Sequence, residues 1–489
     1  MQYNLQSSLV TNLRIKQKND TFKKPDSWPN IRKNAQNGHI YLLVDDRYPI
    51  GFVATVTGGY SINIDGEHYD DYNSQDQFSM ADWSDYTDTE GYTINYPTNA
   101  TKAHIIDIYS QTESNDITAF ACARTAASGN EAQGVLWAHF HINNDIDLSK
   151  GFAYTEYYND LLTAVTAKNN LIIASGLDYC FYNAASLKYL PKINYSNVSD
   201  MTNFITNAPA LENTVLDVSA ATTLTKIDIC GDSTHFMSGF KGLRISNQAP
   251  FNSAITPQIN ISYTNMDKAA LLQLFNDLPT VTDGQSIKIV GCSGTKLISA
   301  GSPTIADGIV SNFSNSNYLT SSQQVALGNN FEIVTAFITT DFTSYQAIVA
   351  APQNATSDRF IIQVETTGKL SYWTTNGSDG IIKHAGSNTL AENTKYYLKM
   401  ICNNGSYTVY ISTDNTTFVT DTSFTSEYSL ATNHIWIGKS QNNIFFKGSI
   451  DLNNTHIKIN EQTWLNIDNY LLPDESAIAT EKGWTVTVS

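Results

Sequence analysis

The sequence predicts a mainly β protein with several domains, and three observations support this prediction. The chain has 27 Tyr, 21 Phe and 7 Trp, residue types that fit a pleated, half-buried strand. Charged residues make up only 15% of the chain, so uncharged polar residues must supply most of its surface. At roughly 150 residues per domain, a chain of 489 residues corresponds to about three domains.

Residues 1–150 are predicted to form an N-terminal β-rich domain. Short apolar runs alternate with turns that contain Gly, Asn and Asp, which is typical of a small antiparallel sheet. The predicted strands are His39–Val44, Gly51–Val56, Tyr60–Ile64, Ala103–Tyr109 and Val135–Ile142.

Two helices are predicted after this domain. The first covers residues 152–167, where Leu161, Leu162 and Val165 have helical spacing. The second follows Asn265, which can cap it, and Pro279 ends it. Its apolar face is formed by Leu271, Leu274, Phe275 and Leu278.

Residues 151–300, with a closing segment over residues 473–489, are predicted to form a degenerate leucine-rich-repeat solenoid. Short strand-like units recur with different connectors between them, which is typical of a solenoid. The intervals between the units are irregular, although Ile227 to Leu243 and Leu243 to Ile259 are equal, and each unit is interpreted as a short strand. The units begin at Leu187, Val215, Ile227, Leu243, Ile259 and Ile287.

Residues 301–472 are predicted to form a sandwich of two β-sheets. Asn404-Gly405 is a strong hairpin signal, because both turn positions require positive φ. Alternation after this turn places three side chains on one buried face: Tyr407, Val409 and Ile411. The predicted strands are Phe331–Ile338, Ala347–Ala350, Phe360–Val364, Leu370–Trp373, Tyr396–Ile401, Tyr407–Ile411, His434–Ile437, Ile444–Leu452 and His456–Ile459.

The middle region resembles the BspA-type leucine-rich repeats of gut Bacteroidales proteins and of the phages that infect them. The resemblance lies in Tyr182–Pro191, Ser196–Met201, Ile261–Met266 and Leu278–Val281. The segment Ala477–Thr487 is similar to the closing element of such an array. The sandwich would then be inserted between the last repeat and its cap, with the chain leaving near Ser299 and returning near Pro473.

The sandwich resembles the concanavalin A-like, laminin-G-like fold. The residues that carry this resemblance are Gly368–Trp373, Lys395–Met400, the Asn404-Gly405 hairpin and Ile435–Gly438. Some sandwiches of this kind bind calcium, so the resemblance leaves room for a loop calcium site at Asp341, Asp379 or Asp451. No other cofactor is predicted.

The first region resembles N-terminal domains of virion proteins from crAss-like tailed phages of Bacteroidales. The residues concerned are Gly51–Val56, Gly59–Gly66, Ala123–Gly129 and Gln133–Phe140. Together the resemblances imply a fibre or adhesin-like virion protein, made in the host cytoplasm, that contacts other virion proteins through its N-terminal domain. They also imply that the sandwich binds host surface polysaccharide, and by analogy with phage fibres they favour a homotrimer.

The charge balance excludes some classes of partner. With 29 basic and 46 acidic residues the net charge is −17, which argues against nucleic-acid binding and against docking on an anionic membrane. We expect no membrane span and no secretory signal, since the chain has no sufficiently long apolar run and no basic segment before one. The five scattered cysteines are interpreted as reduced, buried apolar residues: Cys122, Cys180, Cys230, Cys292 and Cys402.

The acidic and histidine residues give little support to catalysis. His139 and His141 alternate on a strand and could hold zinc only if a third ligand converged on them. A glycoside hydrolase needs two carboxyl groups flanking the scissile bond. The acidic residues of the sandwich are scattered singly, as are Glu332, Glu365, Asp414 and Glu461. The sequence therefore predicts a protein that is not an enzyme.

Exposed aromatic side chains are the best candidates for a binding site, because their apolar faces and polar edges suit sugar rings. The predicted glycan-binding residues are Tyr372, Trp373, Tyr396 and Tyr410. Trp436 is a further candidate, but its place between Ile435 and Ile437 favours the core. Two alternatives stay open: a spacer or capsid cement without a ligand, and a bacterial surface adhesin or glycan-active hydrolase with a concanavalin A-like domain.

Overall fold

The structure is a computed structural model of the chain. It describes residues 22–80, 83, 86, 92–95, 100–112, 116–122, 134–152, 161–282, 284–295, 297–322, 324–352, 358–375, 381–426, 430–441, 443–466, 471 and 473–488. The described part is almost entirely β, as the sequence predicts. Neither α-helix in it is long and apolar enough to cross a bilayer.

The chain divides into two compact units. The first contains residues 1–266, 273–288 and 482–485, and the second contains residues 267–272, 289–481 and 486–489. The three-domain boundaries therefore stay a prediction, because the N-terminal region and the repeats belong to one unit.

The N-terminal part of the first unit contains two sheets. The larger has the order β10-β9-β1-β7-β3-β4, with β6 also paired to β7, and the smaller has the order β5-β2-β8. The five strands predicted for this region all lie in these sheets. The strands are β1 His39–Asp45, β2 Ile50–Val56, β3 Tyr60–Ile64, β4 Glu67–Tyr72, β5 Gln77–Met80, β6 Tyr92–Asn95, β7 Ala100–Ser110, β8 Ile117–Ala121, β9 Val135–His141 and β10 Ala164–Ala167.

The helix predicted over residues 152–167 is wrong at its C-terminal end. Strand β10 pairs in parallel with β9, with Ala164 opposite Trp137 and Thr166 opposite His139. The β-branched Val165 and Thr166 fit a strand edge better than a helix. Residues 153–160 of the predicted helix lie outside the described residues, as does the Ala123–Gly129 segment.

Short parallel strands stack in the rest of the first unit. One sheet has the order β13-β15-β17-β18, and β14 pairs with β16 in a separate sheet. The elements are β11 Leu171–Ile172, β12 Ile193–Asn194, β13 Asp200–Met201, β14 Thr214–Val218, β15 Lys226–Asp228, β16 Phe240–Ile245, β17 Ile259–Asn260, α1 Lys268–Asp277 and β18 Ser286–Lys288. Residues 268–272 of α1 belong to the second unit.

The pairing shows how these strands repeat along the stack. Ile227 pairs with Ile259, whereas Leu243 between them pairs with Leu216 in the other sheet. Each turn of this part of the stack therefore contributes one strand to each of two sheets. The interval from Ile227 to Leu243 is therefore half a turn of the stack.

The helix α1 begins later than predicted. Asp267 Oδ1 accepts the backbone N–H of Ala270 at 2.9 Å, which is the capping position. Asn265 instead donates its side-chain amide to the carbonyl of Ser238 at 2.7 Å. The predicted apolar face is correct, since all four of its residues are buried: Leu271, Leu274, Phe275 and Leu278.

The second unit is a sandwich of two antiparallel sheets. One has the order β19-β22-β33-β25-β26-β27-β28, and the other has the order β20-β21-β34-β24-β29-β30-β31 with β35 on β34. A further pair joins β23 and β32. The strands are β19 Leu297–Ala300, β20 Thr304–Ala306, β21 Ile309–Ser311, β22 Tyr318–Ser321, β23 Val325–Gly328, β24 Asn330–Thr339, β25 Gln346–Pro352, β26 Asp358–Val364, β27 Lys369–Thr375, β28 Ile381–Thr389, β29 Lys395–Asn403, β30 Ser406–Ser412, β31 Val419–Thr425, β32 Leu430–Asn433, β33 Trp436–Ile437, β34 Gly448–Ile459 and β35 Gln462–Leu465.

The sandwich core confirms the predicted alternation. Tyr407, Val409 and Ile411 all lie in it, and the turn before them has φ of 48° at Asn404 and 75° at Gly405. The two strands predicted over Ile444–Leu452 and His456–Ile459 are one strand, β34, with an irregular register opposite β24.

The last described elements are a 3₁₀ turn at Pro473–Ser476, α2 Ala477–Thr480 and β36 Thr485–Thr487. The buried Trp484 donates its indole N–H to the carbonyl of Pro279 at 2.8 Å and packs against Phe251. Thr485 donates its backbone N–H to the carbonyl of Gln285 at 2.8 Å. Residues 482–485 thus complete the first unit after the whole sandwich has been traversed.

Candidate functional site

The structure does not bring the four predicted glycan-binding residues together. Tyr372 is fully buried and donates its hydroxyl to Asp421 at 2.7 Å. Tyr396 is also buried, and its hydroxyl accepts the backbone N–H of Ala391 at 2.8 Å. Both rings are part of the core, which corrects their prediction as binding residues. The physical reason is alternation, because neighbours on a strand point to opposite faces of the sheet.

Trp373 and Tyr410 are both partly exposed, but on different sheets. Trp373 lies on the outer face of the β27 sheet, opposite in direction to the buried Tyr372. Tyr410 lies on the outer face of the β30 sheet, between the buried Val409 and Ile411. Stacked sheets are about 10 Å apart, so one small ligand cannot contact both residues.

A row of side chains crosses the outer face of the Trp373 sheet. Trp373 is opposite Ile361 on β26, and Ile361 is opposite Ala350 on β25. Ala350 in turn is opposite Trp436 on β33. Directly opposite residues of antiparallel strands share a face. We call these four residues the tryptophan row: Trp373, Ile361, Ala350 and Trp436.

The two indoles of the tryptophan row are three strands apart. At the usual spacing between strands this is on the order of 14 Å. The two residues between them, Ala350 and Ile361, are buried, whereas both tryptophans are partly exposed. The row is therefore a shallow surface with an aromatic side chain near each end.

A small cluster of buried apolar side chains lies beneath the tryptophan row, on the same outer face of the sheet. Ala347, Ala350 and Ile361 are buried there, and Trp373 and Ile444 pack against them. Ser371 accepts the indole N–H of Trp373 at 3.3 Å, and it also accepts the side-chain amide of Gln363 at 3.0 Å. These contacts hold Trp373 in one orientation on the sheet.

A lysine lies near each tryptophan of the row. The Lys439 ammonium is 5.2 Å from the ring centre of Trp436 and 4.4 Å from that of Tyr318. Burial against these rings lowers the pKa of Lys439. The Lys383 ammonium is 6.0 Å from the ring centre of Trp373 and pairs with Glu365 at 2.5 Å. A lysine therefore lies near each end of the row, and the charge of Lys383 is balanced by Glu365.

The position of Trp436 corrects a sequence prediction. Trp436 was expected in the core, but Ile435 and Ile437 are the buried residues of this segment. Alternation along Ile435-Trp436-Ile437 is the signal that could have placed the indole outside. The sequence gives no signal that Ala350 and Ile361 lie between the two tryptophans, because that placement depends on the pairing of distant strands.

The outer face around Tyr410 is dominated by charge. Lys399 is opposite Tyr410 and pairs with Glu332 at 3.3 Å. Glu332 also accepts Lys458 at 2.8 Å and His456 at 3.1 Å. Partial burial alone would raise the pKa of Glu332, but the hydrogen bonds from these three groups outweigh it and lower the pKa to about 2.

No metal-binding cluster of three or more His, Cys, Asp or Glu side chains occurs in the described part of the chain. Asp341 binds Thr343 and Lys447, and Asp451 binds Lys395 at 2.6 Å. Asp379, the third candidate for calcium, lies outside the described residues. His139 and His141 do point the same way, with 3.3 Å between Nε2 and Nδ1.

No family model and no curated protein matches the chain significantly. Solved structures similar to about a third of it include the carbohydrate-binding module CBM66 from Bacillus subtilis, at 11% identity, covering 34% of this chain and 96% of that one, with a TM-score of 0.25. A native heptameric SAP-like pentraxin from Limulus polyphemus has 10% identity, coverages of 38% and 82%, and a TM-score of 0.25. The CBM40 of a Ruminococcus gnavus sialidase has 15% identity, coverages of 31% and 82%, and a TM-score of 0.23. Scores of this size carry no weight for function.

Proposed function

We propose that this chain is a structural protein of a phage virion, a fibre or decoration whose sandwich binds host surface glycans without catalysis. The observation that carries the binding function is the tryptophan row. It places two partly exposed indoles on one face of one sheet, with buried small and branched residues between them.

The row suits a weak glycan site. An indole offers a flat apolar face to the C–H side of a sugar ring and a polar edge to its hydroxyls. Two such faces on the order of 14 Å apart can contact separate residues of one oligosaccharide. The shallow shape implies weak binding at each site, and several copies on one particle would supply the affinity through multivalency.

The acidic groups of the sandwich favour binding over hydrolysis. A glycosidase needs a general acid whose pKa is raised. The pKa of Glu332 is lowered to about 2, and the pKa of Asp451 is also lowered, because burial is outweighed by the hydrogen bond from Lys395. Glu365 is paired with Lys383. Glu332 and Asp451 therefore stay ionised, and all three carboxylates are paired with cations.

The virion role rests on the sequence resemblances of the three regions. The cysteines are consistent with it, because all five are buried and none forms a disulfide, as suits a product of a reducing cytosol. In this proposal the N-terminal region contacts other virion proteins and the assembly is a trimer by analogy.

Binding of the full-length chain to host surface polysaccharide, and to a panel of neutral and acidic oligosaccharides at millimolar concentration, tests the glycan function. We expect Trp373→Ala and Trp436→Ala each to weaken binding about tenfold or more, a change of about 1.4 kcal/mol. Tyr410→Ala, on the other sheet, is the matched control and should leave binding unchanged.

Each variant is first checked for an unchanged melting temperature, so that lost binding is not lost folding. If no sugar binds, or if Tyr410→Ala has the larger effect, the tryptophan row is not the site. Immunogold labelling of virions tests the structural role separately, and its absence from particles would contradict that role without affecting the binding result.

A further inference from the structure

A cleft of about 790 Å³ opens in the first unit. On one side lie residues 166–170, which comprise the end of β10 and the three residues after it. On the other side lie residues 190–192, and Phe22 and Arg32 form part of the wall. We call this opening the cationic cleft, for the charges described below.

The cleft exists because two parallel segments separate and then rejoin. Val165 donates its backbone N–H to Tyr189 at 3.0 Å, and Leu171 donates its N–H to Lys192 at 2.7 Å. Between these contacts five residues, 166–170, are opposed only by Leu190 and Pro191. Proline has no N–H to extend the ladder, so the two segments cannot pair here and the gap stays open.

Three basic side chains line the cleft: Arg32, Lys168 and Lys192. No acidic side chain is among the described residues that line it. The chain as a whole has a net charge of −17, whereas the described side chains that line the cleft carry a net positive charge. A cleft that concentrates one sign of charge attracts ligands of the opposite sign.

Arg32 is held by aromatic rings. Its guanidinium carbon is 5.1 Å from the ring centre of Trp137 and 5.9 Å from that of Phe22. Stacking of this kind uses the flat face of the guanidinium and leaves the N–H groups at its edge able to bind a carboxylate or sulfate.

Nearby histidines respond to the same positive charge. The pKa of His139 is lowered to about 4, first by burial, then by His141 and then by Arg32. The pKa of His141 is lowered by burial and then by Lys168. These shifts agree with a positive potential on this side of the sheet.

The uncharged lining suits a sugar. Asn169, Asn170 and Asn194 offer side-chain amides that can donate to and accept from hydroxyl groups. Phe22 and Tyr189 offer rings whose centres are 5.2 Å apart. The volume lies within the usual range for sites that bind small molecules.

We propose that the cationic cleft binds an anionic oligosaccharide, one that carries uronic acid or sulfate groups. The site is independent of the tryptophan row and lies in the other unit. Its ligand is selected by charge as well as by hydroxyl groups.

The test is isothermal titration calorimetry of the full-length chain with four probes: a uronic acid trisaccharide, a sulfated oligosaccharide of similar length, a neutral trisaccharide and an acidic hexapeptide. We expect one of the anionic sugars to bind, and binding to weaken as salt rises from about 0.05 to about 0.5 M. The neutral sugar and the peptide should bind at least tenfold more weakly.

The double variant Lys168→Gln/Lys192→Gln should weaken binding of the anionic sugar at least tenfold. Lys188→Gln is the matched control, since Lys188 is exposed and adjacent to Tyr189 but does not line the cleft. Trp373→Ala should have no effect on this binding, which separates the cleft from the sandwich site. Tighter binding of the peptide, no binding of either anionic sugar, or equal losses in Lys188→Gln and the double variant would overturn the proposal.

Discussion

The stacked strands of the first unit and the sandwich of the second place their surfaces in different ways. Strand β15 of the stack, Lys226–Asp228, has all three residues buried. Strand β29 of the sandwich, Lys395–Asn403, alternates strictly between buried and partly exposed residues up to its exposed last residue. Long antiparallel strands therefore leave one whole face of a sheet available, whereas short parallel strands leave few side chains for contact with a ligand.

This difference determines where each proposed site can form. In the sandwich the tryptophan row forms where pairing is continuous, because each strand adds one outward side chain to the row. In the first unit the cationic cleft forms where pairing is interrupted, between Val165 and Leu171. The tryptophan row thus depends on regular pairing between strands of the sandwich. The cationic cleft depends on a break in the pairing between two segments of the first unit.

The largest effect is expected from the core of the stack. Phe204 is fully buried and its ring centre is 5.6 Å from that of Phe181, which itself stacks on Phe152 at 5.8 Å. Phe204→Ala should lower the free energy of unfolding of the first unit by about 3–5 kcal/mol, because a cavity replaces the ring. Calorimetry of the full-length chain should show this shift in one transition only.

The partly exposed Phe236 of the same unit provides the control. Phe236→Ala should cost clearly less than Phe204→Ala. Equal losses for the two variants would mean that continuous burial along the stack does not stabilise this unit.

The next largest effect is expected when the buried ion pair of the stack loses its cation. Lys226 is buried and pairs with the buried Asp228 at 3.1 Å. Lys226→Met leaves that carboxylate without its cation, so we expect a loss of about 3 kcal/mol at pH 7. Lys226→Met/Asp228→Leu should recover most of it, as measured by denaturant unfolding.

The pH dependence of this loss has a defined sign. Burial raises the pKa of Asp228, and Lys226 only partly opposes it. A raised carboxyl pKa contributes stability at low pH that is lost as pH rises through it. The defect of Lys226→Met should therefore shrink as pH falls, and a defect that grows on acidification would contradict the assignment.

A smaller effect is expected in the sandwich core. Tyr372→Phe removes the hydroxyl that donates to Asp421, leaving that buried carboxylate with fewer donors. We expect a loss of about 1–3 kcal/mol in unfolding and no change in glycan binding. Tyr410→Phe, on the outer face, should change stability by no more than about 0.5 kcal/mol. Reduced glycan binding in folded Tyr372→Phe would argue against the separation of core and surface.

The smallest effect concerns the outer face around Tyr410. The pKa of Glu332 is lowered to about 2, so its contribution is present above the ordinary glutamate pKa and is lost as pH falls through about 2. Glu332→Gln should lower stability by about 1–2 kcal/mol at pH 7, since Lys399 and Lys458 are partly screened by solvent. The difference from the unmodified protein should disappear near pH 2. Glu461→Gln, at an exposed position, should show no such pH dependence.

Local patterns predicted much of the fold. The turn at Asn404-Gly405, the buried face that begins at Tyr407 and the apolar face of α1 were all predicted correctly, because each depends on residues close together in sequence. Alternation alone also distinguishes Tyr372 from Trp373, because adjacent residues of a strand point to opposite faces of the sheet.

Long-range pairing could not be predicted. No local signal shows that Ile227 pairs with Ile259 and not with Leu243, or that Ala350 lies between Trp436 and Ile361. The misassigned helix at Ala164–Ala167 has the same cause, since its strand depends on β9, which is distant in sequence. The candidate site consists of such pairings, and so only Trp373 of the tryptophan row was predicted as a binding residue.

The closing contacts of Trp484 and Thr485 set the order in which the protein can be completed during translation. The residues of the sandwich leave the ribosome before Trp484 does, so the sandwich can fold while the first unit still lacks its last strand. Loss of residues 482–485 would therefore damage the unit that is made first. Cleavage within an exposed loop of the sandwich, by contrast, would leave the contacts of Trp484 with Pro279 and of Thr485 with Gln285 intact.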